Sequence, residues 1–165
     1  MRGIYQGETG VIELVPLSTK HHARLGYELD AVQRQFSALP NVWFGNQDDI
    51  AHKIAICNDG VAVGFFVLDA GQDKADYSNN PKAVLLRSMS INPTHQSKGY
   101  AKQALSDQCL GAFCKQYLPD CDMVVLGVNH ANIPAQKLYE NVGFFRCQRT
   151  VMGKQGLQFV YELKI

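Results

Sequence analysis

Between residues 83 and 128 the sequence reads as a strand, a glycine-bearing loop, a helix and a second apolar strand. This order constrains the fold more than any other feature. Residues 83–91 read as a strand, 96–100 as the loop and 101–117 as a helix whose apolar face includes Ala104 and Phe113. Residues 123–128 form a continuous apolar run, typical of a buried strand beside a crossover helix. We therefore expect a mixed α/β sheet with helices on both faces.

The first half of the chain predicts shorter elements. Residues 11–15 are a β-rich run ended by a proline, and residues 53–57 and 61–68 read as a hairpin about the turn Asn58-Asp59-Gly60. Between these strands, apolar residues recur at spacings of four and three, which predicts one helical face that Pro40 ends. Its members are Leu25, Leu29, Val32, Phe36 and Leu39.

The remaining segments complete the predicted order β-α-(α)-β-β-β-α-β-α-β-β. Asp48 and Asp49 could open a second, short helix, and the polar residues 71–81 read as a long, mobile loop. Pro134 suits the first turn of the last helix and Gly143 its end. Residues 144–152 and 157–163 read as a closing pair of strands.

Composition sets the class of protein. The 165 residues suit one domain over 1–165, and a hydrophobic share of 46% with 19% charged residues is ordinary for a globular chain. The formal net charge of +1, with no cluster of lysine and arginine, argues against nucleic acid or an anionic membrane as partner. No apolar run has the length of a signal peptide or a membrane span, so we expect a soluble, cytoplasmic protein.

Cysteines and histidines indicate neither disulfides nor a metal. The five cysteines are an odd number without a C-x-x-C pair, so we expect buried or partly buried thiols. The histidines are scattered, and His21 and His22 are adjacent rather than one helical turn apart. We assign no metal site.

The loop that joins the strand to the helix is the strongest local signal for a binding site. The first N–H groups of a helix have no intrahelical partner, and the helix dipole adds positive potential there. Gly99 and Ala101 let an anion approach the backbone, Lys98 adds a cation and Gln96 an amide donor. A plain strand-to-helix turn is the alternative. The loop lacks the Gly-Lys-Ser/Thr ending of a P-loop and two of the three glycines of a dinucleotide fingerprint.

Two motifs in this half of the chain resemble those of a known family. Residues 96–101 are similar to the Q/R-x-x-G-x-G/A signature of the GNAT N-acetyltransferase superfamily, with Ala101 in the last position. Residues 132–144 resemble that family's N-x-x-A-x-x-L-Y-x-x-x-G-F helix. The matching residues there are Asn132, Ala135, Leu138, Tyr139, Gly143 and Phe144.

The resemblance covers nearly the whole chain and implies a fold and a cofactor. It implies a single GNAT-like domain with a twisted, mixed and mostly antiparallel sheet of six to seven strands, flanked by about four helices. It also implies acetyl-coenzyme A, with the pyrophosphate bound by the loop. The loop residues are Gln96, Ser97, Lys98, Gly99, Tyr100 and Ala101.

The resemblance assigns further cofactor contacts to the preceding strand and to the last helix. The backbone of Met89, Ser90 and Ile91 would pair with the pantetheine arm as another strand would, and the N–H of Met89 or Ile91 would face the thioester oxygen. Met89 and Ile91 could instead be plain core residues, but core side chains do not exclude a binding role for their backbone groups. Asn132 would hydrogen-bond the arm, cap the last helix, or do both.

Direct attack of an amine on the thioester needs an acid for the departing thiolate. Tyr139 is our candidate, because a tyrosine is protonated at neutral pH and the family pattern places one here. The alternative is a core tyrosine with its hydroxyl at the surface. No acid occurs on strand 83–91, where some family members carry a glutamate, so the base stays unassigned between water and a carboxylate such as Glu28.

The acceptor is expected to be a small-molecule amine bound by the first helices and the loop between them. Glu28, Trp43 and Phe44 are the candidate contacts, with Asp30 and the pair Asp48-Asp49 nearby. Acids with aromatic residues suit a polyamine-like cation. A peptide amino terminus, a protein lysine and an aminoglycoside remain open.

Other functions also remain open at this point. The same fold could use another acyl-coenzyme A, or bind coenzyme A as a regulatory or interaction domain without turnover. The loop could instead hold a nucleotide phosphate. A monomer or a homodimer fits the sequence equally well.

Overall fold

A computed structural model describes residues 4–7 and 10–165. The expectation about a signal peptide concerns amino-terminal residues that lie partly outside this description. Within it, eight strands form one sheet in the order β1-β2-β3-β4-β5-β6-β8-β7. The strands are β1 (Ile4–Gly7), β2 (Gly10–Pro16), β3 (Ala51–Asn58), β4 (Val61–Asp69), β5 (Ala83–Ile91), β6 (Met123–Asn129), β7 (Phe145–Gly153) and β8 (Gly156–Lys164).

Helices cover both faces of this sheet. The α-helices are α1 (His22–Leu25), α2 (Ala31–Arg34), α3 (Tyr100–Ala104), α4 (Ala112–Tyr117) and α5 (Ile133–Asn141). Short 3-10 turns occur at Thr19–His21, Pro40–Trp43, Gln72–Asp76 and Pro93–His95, and a π turn at Asp107–Gly111. No helix among the described residues is long and apolar enough to cross a membrane.

The predicted fold class is confirmed. Neighbouring strands pair antiparallel except β5 and β6, which are parallel. The predicted sheet corresponds to β2–β8, and β1 adds a short strand at its edge. The hairpin turn also lies where the sequence predicted it, because Asp59 and Gly60 adopt φ angles of 49° and 83°, as a two-residue hairpin turn requires.

The core lies on two faces of the sheet. On one face, buried residues of α3, α4 and α5 such as Tyr100, Phe113 and Tyr139 pack on the central strands. On the other, Leu25 of α1 packs against Phe65 and Val67 of β4. All five cysteines are free thiols, three of them buried, as expected.

The first predicted helix is wrong as a continuous element. The chain leaves α1 at Gly26 and restarts at α2, where Asp30 caps the new helix by accepting a hydrogen bond from the N–H of Gln33 at 2.8 Å. Val32, predicted to face the core, is 63% exposed. The short helix predicted at Asp48 and Asp49 is also absent, because these residues form a turn that leads directly into β3.

The predicted helix 101–117 is interrupted rather than continuous. The Ser106 hydroxyl donates to the carbonyl of Gln103 at 2.6 Å and accepts from the N–H of Cys109, so it competes with the helical hydrogen bonds. The chain therefore passes from α3 through the π turn into α4, still with one apolar face on the sheet.

Residues 71–81, predicted as a mobile loop, are held at several points. The Lys74 ammonium donates to the carbonyls of Pro81 and Ala83 at 2.8 and 2.9 Å, and Arg149 donates to Asn79 at 2.8 Å. Part of the segment is a 3-10 turn.

Candidate active site

The strands β5 and β6 separate after three paired positions and open a cavity in the sheet. Their ladder joins Ala83–Leu85 to Met123–Val125 and then ends, while β5 continues along β4 and β6 along β8. The facing edges, residues 86–91 and 126–129, line a cavity of about 880 Å³. A ligand can therefore enter between two strands and pair with an exposed backbone edge.

A bulge in β5 shapes the middle of this edge. The register joins Phe65 to Ser90 and Val67 to Arg87, so Ser88 and Met89 face the single residue between them on β4. Ser88 has a φ angle of 56°, in the left-handed region that serine rarely adopts. A bulge leaves one residue out of the ladder and redirects its backbone groups. Here Ser88 and Met89 both line the cavity.

The predicted phosphate loop forms one end of the cavity. Ser97 and Gly99 adopt φ angles of 63° and 78°, and the N–H groups of residues 97–101 donate to no other described residue. Successive free N–H groups in such alternating conformations form an anion-binding concavity. A Cβ atom added to Gly99 would meet only the Gln103 amide, at 3.6 Å. The backbone there is open to a ligand.

Each residue of this loop takes a different position. Gln96, Ser97, Gly99, Tyr100 and Ala101 line the cavity, and the exposed side chain of Lys98 lies outside the lining. Tyr100 contributes only its backbone, since its side chain is buried and its hydroxyl accepts from the Asn58 amide at 3.1 Å.

Side chains from the first helices hold the loop and the strand edge together. The amides of Gln33 and Gln96 donate to each other at 3.2 and 3.1 Å, and Gln96 also donates to the carbonyl of Ile91 at 3.0 Å. The Ser37 hydroxyl donates to the carbonyl of Met89 at 3.0 Å. Segment 30–37 thus lies against the cofactor edge predicted from the sequence.

Ser90 and Asn132 line the cavity with side chains that already have partners. The Ser90 hydroxyl and that of Tyr27 share a hydrogen bond of 2.7 Å. Asn132 caps α5 by accepting from the N–H of Ala135 at 3.4 Å, and its amide nitrogen donates to no described residue. The helix cap therefore leaves the donor of Asn132 available to a ligand.

Tyr139 lies on α5 beside the bulge. It is 9% exposed, and its hydroxyl donates to the sulfur of Met89 at 3.9 Å. Burial raises the pKa of Tyr139 to about 12, because desolvation disfavours the phenolate. The hydroxyl is therefore protonated at neutral pH, within the cavity and next to the strand edge.

The acceptor contacts predicted from the sequence lie elsewhere. The Glu28 side chain is 73% exposed and pairs with Arg34 at 3.7 Å, outside the cavity lining. Phe44 stacks on His22 with ring centroids 4.0 Å apart. Trp43 contacts β5, because its indole N–H donates to the Ser88 hydroxyl at 3.0 Å.

The structure brings residues to the cavity that sequence reasoning missed. They are Gln33, Gln35 and Ser37 from the segment around α2, Arg87 on β5, His95 before the loop, Gly127 and Asn129 on β6, and Lys154, Gln155 and Gln158 of the hairpin formed by β7 and β8. Asp30 is the one carboxylate among the described residues of the lining. No motif singled these residues out, because contacts distant in the chain bring them together.

Comparison with known proteins identifies the family. The profile of the Acetyltransferase (GNAT) family matches residues 18–144, which include the phosphate loop and α5. The chain belongs to this acetyltransferase family. It is also 41% identical over 132 residues to the uncharacterized N-acetyltransferase YbbJ of Bacillus subtilis (strain 168), a match that covers 77% of this chain and 80% of the relative.

Several solved structures have the same fold as this GNAT protein. The GNAT domain of S. lividans PAT superposes with a TM-score of 0.72 at 12% identity, covering 99% of this chain and 97% of the other. Aminoglycoside acetyltransferase AAC(6')-Ib, in complex with paromomycin and acetyl-coenzyme A, gives 0.68 at 14% identity and covers 93% of each chain. Mycobacterium smegmatis RimJ, in complex with CoA-disulfide, gives 0.67 at 17% identity and covers 99% of this chain and 86% of the other.

Proposed function

We propose that this GNAT protein transfers the acetyl group of acetyl-coenzyme A to the amine of a small molecule. The observation that carries the proposal is the continuity of three parts of one cavity: the free N–H groups of residues 97–101, the strand edge 86–91 and the hydroxyl of Tyr139. The loop follows the end of β5 at Ile91 and the Tyr139 hydroxyl contacts Met89 further back on this strand, which suits the order of diphosphate, pantetheine and thioester in the cofactor.

Different residues of the cavity would bind different parts of the cofactor. The loop amides accept the pyrophosphate, and Lys98 adds positive charge near it. Backbone groups of Met89, Ser90 and Ile91 and the free amide donor of Asn132 receive the pantetheine arm. The bulge at Ser88 and Met89 directs a backbone N–H at the thioester oxygen and stabilises the charge that develops there.

Transfer proceeds without an acyl-enzyme. The amine nitrogen forms a bond to the acetyl carbon, the carbon–sulfur bond breaks, and the electron pair leaves on sulfur. Tyr139 gives its proton to the thiolate, and the proton that the attacking nitrogen loses passes to water. The phenolate then recovers a proton from solvent, so the products are the amide and coenzyme A.

The amine is deprotonated in solution rather than by a protein base, because the one carboxylate of the described lining, Asp30, accepts a hydrogen bond as the cap of α2, and the imidazole of His95 directly precedes the loop that receives the diphosphate. We expect kcat/KM to rise about tenfold per pH unit up to the pKa of the amine and then level off. Burial raises the pKa of Tyr139 to about 12, so the acid stays protonated and no fall is expected below pH 10.

Two acceptors of different pKa test this assignment. The pH at which kcat/KM levels off should move with the amine, as measured by thiol release across a pH series. A break at one pH for both amines would indicate a protein base. A fall centred well below pH 10 would count against a buried tyrosine as the acid.

Coenzyme A should stabilise the protein against heat far more than ATP or NAD, because only coenzyme A has both a diphosphate and an arm that pairs with β5. The measurement is the melting temperature at equal ligand concentrations. Equal stabilisation by ATP would support a nucleotide site instead. Stabilisation by coenzyme A without amine-dependent thiol release would favour the binding domain without turnover.

The acceptor itself is the weakest part of the sequence-based expectation. A polyamine-like cation was expected from Glu28, Trp43 and Phe44, none of which lines the cavity. The cavity lining includes apolar residues and amides instead, such as Val32, Phe36 and Gln158, and its one described carboxylate is Asp30. This lining supports a small amine with an apolar part over a multiply charged one.

A further inference from the structure

Arg87 is a charged residue directly beside the bulge. It precedes Ser88 on β5, lines the cavity, and its side chain is 37% exposed. Its Nη1 donates to Asp69 at 3.3 Å and to Asp73 at 2.8 Å, and its guanidinium carbon lies 5.9 Å from the centroid of the Trp43 ring. Two carboxylates and an aromatic ring thus hold the guanidinium in one place.

Most of the hydrogen-bonding capacity of this guanidinium is unused. Both hydrogen bonds come from Nη1, and the N–H groups of Nε and Nη2 have no partner in the part of the chain that the structure describes. An arginine has five N–H donors in a planar fork, which matches a carboxylate in two parallel bonds. Asp69 and Asp73, the partners of Arg87, do not line the cavity. A ligand in the cavity therefore contacts the guanidinium and not these two carboxylates.

The other charges of the lining favour an anion in the same way. Lys154, at the tip of the closing hairpin, and Lys102 also line the cavity. Against these cations stands Asp30, which is engaged as the cap of α2. A polyamine would bring further positive charge to a lining whose one described carboxylate, Asp30, is already engaged.

We propose that the acceptor is an amine that also carries a carboxylate, and that Arg87 binds this carboxylate. The inference rests on the proposed function, since it names the class of amine for the same site. Arg87 directly precedes the bulge on the same strand, so the carboxylate of the acceptor must lie close to the nitrogen that is acetylated at the bulge. Amines of the amino-acid type meet this condition.

The test compares acceptors that differ at the carboxylate, each at a pH where its kcat/KM has levelled off, so that the fraction of neutral amine is the same for all. For one apolar side chain, kcat/KM is measured for the amino acid, its amide and the decarboxylated amine, with a polyamine as a fourth acceptor and thiol release as the readout. The amino acid should be preferred about 10- to 100-fold, mainly through a lower KM, because hydrogen bonds to a charged partner are worth that much.

Variants then assign the preference to one side chain. Arg87→Gln should reduce the ratio of kcat/KM for the amino acid to kcat/KM for the amide to near one. The matched control is Arg146→Gln, which removes an arginine that lies over Phe159 outside the cavity lining and should keep the ratio. Arg87→Lys retains a cation for the buried Asp69 but loses the planar fork, so it decides the question should Arg87→Gln not fold.

The outcomes separate this inference from the function on which it rests. Turnover of all amines without a preference for the carboxylate, fastest turnover of the polyamine, or an unchanged ratio in the folded Arg87 variants would overturn the inference alone. Absence of thiol release with every amine, in a protein that coenzyme A does not stabilise, would overturn the proposed function and the inference with it.

Discussion

Replacing Gly99 by aspartate is expected to weaken coenzyme A binding about 100-fold or more. A Cβ atom at this position has open space on the cavity side, so the new carboxylate would stand against the diphosphate. Two unit charges about 5 Å apart near a protein surface repel by roughly 3 kcal/mol, which corresponds to about a hundredfold in affinity. Isothermal titration of the variant with coenzyme A measures the loss directly.

The chain offers a matched control for this substitution. Gly45 has the same φ angle of 78°, and a Cβ atom there would meet nothing within 4 Å. Gly45→Asp therefore imposes the same backbone strain and the same charge at a site outside the cavity lining. It should lower stability slightly and leave coenzyme A affinity unchanged. Equal losses in both variants, or full affinity in a folded Gly99→Asp protein, would contradict the assignment of the loop.

The unpaired N–H groups of the loop 96–101 could be predicted because the parts of this loop are contiguous in sequence. A strand, a loop with Gly99 and the start of a helix suffice to place unpaired N–H groups at one point, whatever the rest of the chain does. The left-handed conformation of Ser97 could not be predicted, since serine carries no preference for it. It completes the concavity that Gly99 begins.

The bulge and the separation of β5 from β6 depend on contacts that are distant in the chain. Ser88 takes its left-handed conformation where β5 pairs with β4 across one extra residue, and Trp43 bonds its hydroxyl from another segment. Neither Ser88 nor its neighbours have the composition of a bulge. A strand was therefore predicted correctly over 83–91, but its irregularity could not be.

The misplaced acceptor contacts have the same origin. Glu28, Trp43 and Phe44 were chosen because acids and aromatics cluster in that part of the sequence, whereas the fold brings Ser37 and Phe36 to the cavity and leaves Glu28 in solvent. One helix was predicted here, and a break at Gly26 rotates every later side chain relative to that prediction. Helical spacing predicts a face only where the helix is continuous.

Replacing Tyr139 by phenylalanine is expected to lower kcat about 100-fold and to leave the affinity for coenzyme A within about twofold. The hydroxyl is the donor that the proposed mechanism supplies to the departing thiolate, and a general acid contributes about 10² to 10⁴ in rate. Burial raises the pKa of Tyr139 to about 12, well above that of an ordinary thiol near 8.5. Proton transfer from Tyr139 to the thiolate is therefore energetically unfavourable. That mismatch places the expected loss at the lower end of the range.

A second buried tyrosine distinguishes lost chemistry from lost packing. Tyr161 is fully buried and its hydroxyl donates to Glu140 at 2.8 Å, outside the cavity lining, so Tyr161→Phe should lower stability but not kcat. Tyr139→Phe gives up only a long contact of 3.9 Å to the sulfur of Met89, so its stability should change little while its turnover falls. Steady-state kinetics and thermal melts on both variants measure the two effects. Unchanged kcat in Tyr139→Phe would remove this residue as the acid, and the proton would then have to reach the thiolate from water in the cavity.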